Sequence, residues 1–398
     1  MWVYIRYGAI LAIVVIAAMA MLLGGAWHWV GFALAFVVAV GLDGLLGDDT
    51  SEPQYAHPWI LNLMLYSSLP FLVVISATYA WTLGRWTGAD WLGFGAALQA
   101  VSGVDVLAMR ARTSWLDQVG GGLGLALLYG GLGTVVAHEL THRTWDKLAM
   151  IVGRWLLAFT ADASFAIEHV YGHHKNVSTR QDPATSRRGE TVYAFVVRST
   201  LHSYISAWRL ETERLRKQGH SLWSWRNRMH RGNLMTLLVA AGFYAAAGWL
   251  GVAAFALIAI HGKFYLEFVN YVEHYGLVRV PGAPVEPRHS WNCNKRVSSV
   301  LLFNLTRHSH HHAMGEKPFW ELKAYPDTPM MPHGYLTMLA IAAIPPLWNR
   351  IMIPKVLEWD RVYASPAERP LIEQANQLSG DSRFGASVPA RTAAPAAA

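Results

Sequence analysis

Six apolar runs, each close to the length that crosses a bilayer, constrain this chain more than any other feature. They cover residues 8–24, 30–46, 59–83, 120–137, 234–249 and 252–269. A membrane helix needs roughly 20 apolar residues. Inside hydrocarbon every backbone polar group must be paired without water, which a helix does by itself. The expected fold class is therefore all-α, a polytopic membrane protein with about six transmembrane helices and a histidine-rich helical domain on the cytoplasmic side. Of 398 residues, 53% are hydrophobic and only 15% charged, in keeping with that reading.

Three weaker runs are not counted as spans. Residues 91–109 are interrupted by Gln99 and Asp105. Residues 148–160 are short and carry Arg154, so they are expected to lie in the membrane interface. Residues 335–348 end in Pro345-Pro346 and are too short to cross. The first run follows Arg6 and lacks a small-residue cleavage site, so it is expected to be a retained anchor. One membrane-bound domain is expected over residues 1–365. A tail over 366–398 follows, rich in Ala, Pro, Ser and Gly from Ser379 onward and expected to be disordered from there.

Charge gives the orientation. Of 33 Lys and Arg residues, 12 fall between Lys175 and Arg231, which marks that loop as cytoplasmic. With six spans, both termini and every histidine cluster then fall on the same side of a bacterial-type inner membrane. The loop can also present a docking face to an acidic protein. Nucleic-acid binding is excluded as a reading, since no supporting motif accompanies the charge. Cys293 is the single cysteine, so the chain holds no internal disulfide and no cysteine-ligated iron–sulfur centre. Electrons, if the chemistry needs them, come from outside or from a cofactor of another kind.

Four short motifs hold ten of the 18 histidines. The first is His138-Glu139-Leu140-Thr141-His142, with two imidazoles at i, i+4 on one helix face. The second, residues 168–174, sets His169 beside His173, with His174 adjacent. The third, residues 270–275, places His274 where the last span exits. The fourth, residues 307–312, puts His308 beside His311 and His312 at i+3 and i+4. Lys263, Glu267, Asn270 and His274 share one helix face, which should turn His274 inward, since ionisable groups near a span face the bundle or water. His28, His57, His202, His220, His230, His261, His289 and His333 stand alone and are read as packing or surface residues.

So many clustered imidazoles exceed what one zinc takes and suit two metal ions. Imidazole serves iron, copper and zinc alike, so the ligand type leaves the metal open. Residues 138–142 also match the zinc-protease pattern HExxH, but that reading leaves eight clustered histidines unused. A metal transporter would spread its ligands along the spans, whereas these gather at one side. Glu139, Glu168 and Glu273 each adjoin a candidate ligand and are expected to orient the rings from behind.

Taken together, HELTHR at 138–143, EHVYGHH at 168–174, NYVEHYG at 270–276 and TRHSHHH at 306–312 resemble the membrane-bound alkane hydroxylase family, within the histidine-rich fatty acid desaturase and hydroxylase superfamily. The third motif is shared with aryl-methyl monooxygenases and sets the chain apart from desaturases. The resemblance implies a non-haem centre of two iron ions held by His138, His142, His169, His173, His174, His274, His308, His311 and His312. Asn270 is expected beside these ligands. His310 stands where relatives often carry Asp, and is expected behind the ligands or at the surface. The implied reaction is O2-dependent hydroxylation of a terminal methyl group of an alkane. The implied partners are rubredoxin or ferredoxin with an NAD(P)H-dependent reductase. A hydrophobic alkane or alkyl-aromatic substrate would arrive from the lipid bilayer, and the glycine-rich run 120–133, with Gly124 and Gly131, is the candidate wall of its channel. An aryl-methyl monooxygenase of the xylene or cymene type, or a fatty acyl desaturase, remains the alternative.

Overall fold

The structure is a computed structural model that describes residues 2–385. Five helices are long and apolar enough to cross a membrane: α1 (Val3–Leu23), α2 (Gly25–Leu45), α3 (Pro58–Thr87), α6 (Trp115–His142) and α10 (Arg228–His274). Between α3 and α6, the weak run forms only α4 (Phe94–Ser102) and α5 (Val106–Arg110), broken at Gly103. It does not cross. Further helices are α7 (Lys147–Ala158), α8 (residues 165–176), α9 (Val192–Lys217), α11 (Arg296–Leu301), α12 (His308–Ala313), α13 (Tyr335–Ala342), α14 (Pro345–Val362) and α15 (Arg369–Ser379). No β-strand forms among the described residues; there are two isolated bridges.

Six spans were expected, and five helices carry them because α10 is two limbs in one. Its backbone leaves helical geometry at Ala247 and at Gly248, whose φ is 59°. That left-handed value favours glycine. Beyond the break, a Cβ on Gly251 would lie 2.1 Å from the Phe243 carbonyl oxygen, so only glycine lets the limbs meet there. Phe243 and Phe255 face each other across the reversal at 5.3 Å.

The glycine run in α6 divides its work. Gly120 is pressed against the Trp29 ring, Gly121 against His28, and Gly124 against the backbone nitrogen of Phe32. These are close helix contacts with α2 and with the turn that opens it, so Gly124 is a packing residue and not part of a channel wall. Gly131, one π-turn further on, meets only the tip of Ile10 at 3.7 Å.

Helix α7 departs from the expectation that it lies flat in the interface. Gly153 sits against Ala137, Leu140 and Thr141, so α7 folds back along α6 toward its middle. At the returning turn, Asp162 accepts a hydrogen bond from Lys263 Nζ at 2.7 Å, and Lys263 also reaches Glu267 at 2.8 Å. A polar turn at that depth survives because protein surrounds it and Lys263 neutralises it.

Residues 379–385 were expected to be disordered, and the structure overturns that. A short 3-10 turn, Ser382–Phe384, follows α15 and buries Phe384. The cause is Arg188. Its guanidinium donates to both Asp360 carboxylate oxygens (2.6 and 2.7 Å), to Asn376 Oδ1 and to the Gly276 carbonyl, and lies over the Phe384 ring. The remaining tail residues, 386–398, lie outside the described residues.

Candidate metal centre

The helix ends bring the four motifs together. His138 and His142 close α6, His169, His173 and His174 sit on α8, His274 ends α10, and His308, His311 and His312 lie on α12. Two π-turns help to aim them, at residues 129–134 before His138 and at 169–173 within the second motif. Such turns widen the helix by one residue and recur at functional sites.

All nine expected ligands converge, and they fall into two groups. His138, His142, His169, His174 and His311 form one; His173, His274, His308 and His312 form the other. Within each group the candidate donor atoms lie within 4.8 Å of one another. In the first group Nε2 atoms approach at 3.1 Å from His142 to His169, His169 to His174 and His174 to His311. In the second, the separations are 3.3 Å from His173 to His312, 2.9 Å from His312 to His308 and 3.2 Å from His308 to His274.

These spacings fit a metal ion. Nitrogens about 2.1 Å from a shared ion, at right angles, stand roughly 3 Å apart. His138 Nε2 is buried with no hydrogen-bond partner, so its lone pair is left for such an ion. Burial, and then the charges their neighbours would carry, hold the pKa values of His169, His174, His308, His311 and His312 well below the usual imidazole range. That direction favours the neutral ring, the form that ligates.

His173 differs. Its Nδ1 meets Asp182 Oδ2 at 2.9 Å. Burial alone would lower its pKa, but Asp182 raises it. Asp182 is itself fixed by Thr185 Oγ1 at 2.6 Å and by the Ala184 N–H at 3.0 Å. Sequence reading missed Asp182, nine residues beyond His173 and across a polar turn.

The residues expected behind the ligands divide unevenly. Glu273 Oε2 lies 3.2 Å from His308 Nε2, at the edge of the four-histidine group. Glu139 does not touch a ring; it pairs with Arg143 at 2.6 Å and accepts the Phe319 N–H. Glu168 does not touch one either. It accepts a long contact from Ser206, and Gly172 leaves room for its carboxyl. Burial, and then the nearby Asp182 carboxylate, push the Glu168 pKa up. Asn270 donates to Glu267 at 3.3 Å. His310 belongs to neither histidine group. It is buried, not at the surface, and its Nδ1 accepts the Lys323 N–H at 2.8 Å.

An apolar cavity reaches both groups. Leu127, Gly131 and Val135 of α6, Leu266 and Val269 of α10, and Leu339 of α13 line it, and His138, His169 and His308 stand on its wall. Along α6 the lining runs from Leu127 to His138, about 16 Å at 1.5 Å per residue.

An all-helical membrane bundle with nine converging imidazoles beside an apolar cavity could hold metal, and comparison places the chain among oxidoreductases. The fatty acid desaturase family model matches residues 113–341. Alkane 1-monooxygenase 1 of Pseudomonas aeruginosa is 36% identical over 362 residues, 86% of this chain and 89% of the relative. Alkane 1-monooxygenase 2 of the same organism is 35% identical over 337 residues, 83% of this chain and 84% of the relative. The xylene/toluene monooxygenase hydroxylase component of Pseudomonas putida is 33% identical over 362 residues, 90% of each chain. Within the fatty acid desaturase superfamily, this chain belongs to the alkane 1-monooxygenase family.

Proposed function

We propose that this chain hydroxylates the terminal methyl group of an alkane or alkyl chain, using O2 and two iron ions held by the five- and four-histidine groups. One oxygen atom enters the methyl C–H bond; the other leaves as water with two electrons and two protons. The iron ions, when bound, supply the activation of O2. The protein supplies position and dryness. The apolar walls bind the chain and exclude water, so its methyl end meets the face formed by His138, His169 and His308. Asp182 keeps a proton on His173 Nδ1 and so leaves Nε2 free to ligate. The electrons come from rubredoxin or ferredoxin through an NAD(P)H-dependent reductase. The enzyme works in a bacterial inner membrane with the histidines on the cytoplasmic side.

The observation that carries this reading is the apolar cavity ending on histidines of both groups. A lipid-dissolved substrate fits such a cavity, and the alkane monooxygenases among the relatives favour oxygen insertion over desaturation. An aryl-methyl substrate is the second reading, favoured by the xylene/toluene relative.

Product analysis in cells expressing the chain with a rubredoxin and its reductase tests this. The cells receive octane, dodecane, hexadecane and p-xylene under ¹⁸O2. A labelled primary alcohol from an alkane is expected. Labelled methylbenzyl alcohol alone would move the chain to the second reading. No labelled product, with two irons bound per chain, would overturn hydroxylation.

A further inference from the structure

Three glutamates adjoin histidines in the four motifs, and two of them have partners of their own. Glu139 pairs with Arg143 and accepts the Phe319 N–H; Glu168 accepts from Ser206. Glu273 is placed differently. Among the described residues its buried Oε1 has no hydrogen-bond partner, and no lysine or arginine pairs with its carboxylate. Lys263, on the same helix, is taken by Asp162 and Glu267. Asn270, one turn earlier on the same cavity wall, gives its Nδ2 to Glu267. A carboxylate buried in this way is costly unless a cation meets it.

The other oxygen marks where such a cation would stand. Glu273 Oε2 lies 3.2 Å from His308 Nε2. That nitrogen is the one turned into the four-histidine group, 3.2 Å from His274 Nε2 and 2.9 Å from His312 Nε2. Glu273 therefore stands in front of the His308 ring, on its ligating side. Asp182, by contrast, meets the rear nitrogen of His173. The Glu273 spacing matches the roughly 3 Å between donors that share one ion at right angles. The donor counts agree as well. One group has five imidazoles and the other four, so a single carboxylate oxygen brings the smaller group to five. Glu273 also lines the apolar cavity with His308, which puts this donor on the substrate side.

We infer that Glu273 is a metal ligand, the fifth donor to the ion of the four-histidine group. This rests on the two-iron reading given above. A charged oxygen donor among neutral imidazoles makes the two ions unlike each other, since the five-histidine ion keeps nitrogen donors only.

The test uses the full chain in lipid nanodiscs, loaded with ⁵⁷Fe(II) without oxygen. Wild type should show two ferrous Mössbauer signals of equal area. Glu273→Gln keeps the side-chain shape and can still donate a hydrogen bond to His308 Nε2, but it carries no charge. It should weaken binding of one ion roughly tenfold or more and change the signal of that ion alone. Glu273→Asp, which keeps the charge, should recover part of the affinity. Unchanged signals and affinities in Glu273→Gln overturn the assignment, because a neutral hydrogen bond to His308 then accounts for the contact. So does equal weakening of both ions in a variant whose melting midpoint is unchanged. Should Glu273→Gln not fold, Glu273→Asp decides alone: one signal shifts if the carboxylate ligates, and neither does if it does not. A wild type that binds one iron or none overturns the two-iron reading, and the ligand assignment with it.

Discussion

His173 Nδ1 lies 2.9 Å from Asp182 Oδ2, with both side chains buried, and among the described residues this pair fixes the one candidate ligand ring whose rear nitrogen is held by a carboxylate. Asp182→Asn keeps the shape but can no longer demand a proton on Nδ1. The ring is then free to turn its Nε2–H toward the metal. Iron affinity should fall roughly 10- to 100-fold, the usual cost of losing such a partner. Iron content measured against a chelator series checks it. Asp182→Glu, if it reaches His173, should restore part of the affinity; unchanged affinity in Asp182→Asn would remove this role.

The two histidine groups predict separable metal loss. His142→Ala takes a ring from the five-member group and His312→Ala one from the four-member group. If the proposed two-iron centre forms, wild type should hold two irons per chain and each variant close to one, by elemental analysis. Loss of both irons from either variant would mean that the groups act as one site.

Gly131 and Gly124 predict opposite phenotypes. A side chain at Gly131 enters the apolar cavity, where only Ile10 stands near. Gly131→Leu should shorten the longest alkane accepted while leaving octane turnover within a few fold. At Gly124 an added Cβ would stand 2.7 Å from the Phe32 nitrogen, a backbone atom that cannot step aside. Gly124→Leu should lower the thermal midpoint and the yield, with no change in the chain-length pattern of what folds. Competition assays on mixed alkanes, alongside thermal unfolding, separate the two.

The convergence of the histidines was more legible in the sequence than their surroundings, for a physical reason. Ligand rings on helices obey i, i+3 and i+4 spacing, so His138 with His142 and His308 with His311 and His312 were visible as pairs. The face of Lys263, Glu267, Asn270 and His274 was visible for the same reason, and the structure joins the first three through contacts of 2.8 and 3.3 Å. Asp182 was not visible, because its reach to His173 depends on a turn with no periodicity. Glu139 and Glu168 were misjudged because adjacency in sequence places neighbours on different helix faces. Helix α7 has the composition of an interfacial helix, and only Gly153 against α6 shows where it goes. The C-terminal turn depends on Arg188, 172 residues before its partner Asp360, a pairing no local pattern encodes.

Glu211 joins α9 to the start of α10 and predicts an acid-sensitive step. Its carboxylate accepts from Arg214 Nε and Nη2, and from the N–H and Nε of Arg228. Burial would raise its pKa, but these donors carry it down to about 2 from 4.5. A carboxylate depressed in the folded state stabilises fully above the unfolded value and loses that contribution as pH falls through the folded one. The contact should therefore weaken between pH 4.5 and 2, and be intact at pH 7. Glu211→Gln removes it at every pH, at a cost on the order of 2 kcal/mol after allowing for the partly exposed Arg214. In detergent, the variant should melt several degrees below wild type at pH 7, and the gap should close toward pH 2 as wild type loses the same charge. A gap that stays constant across that range would mean that shape, not charge, holds α9 to α10.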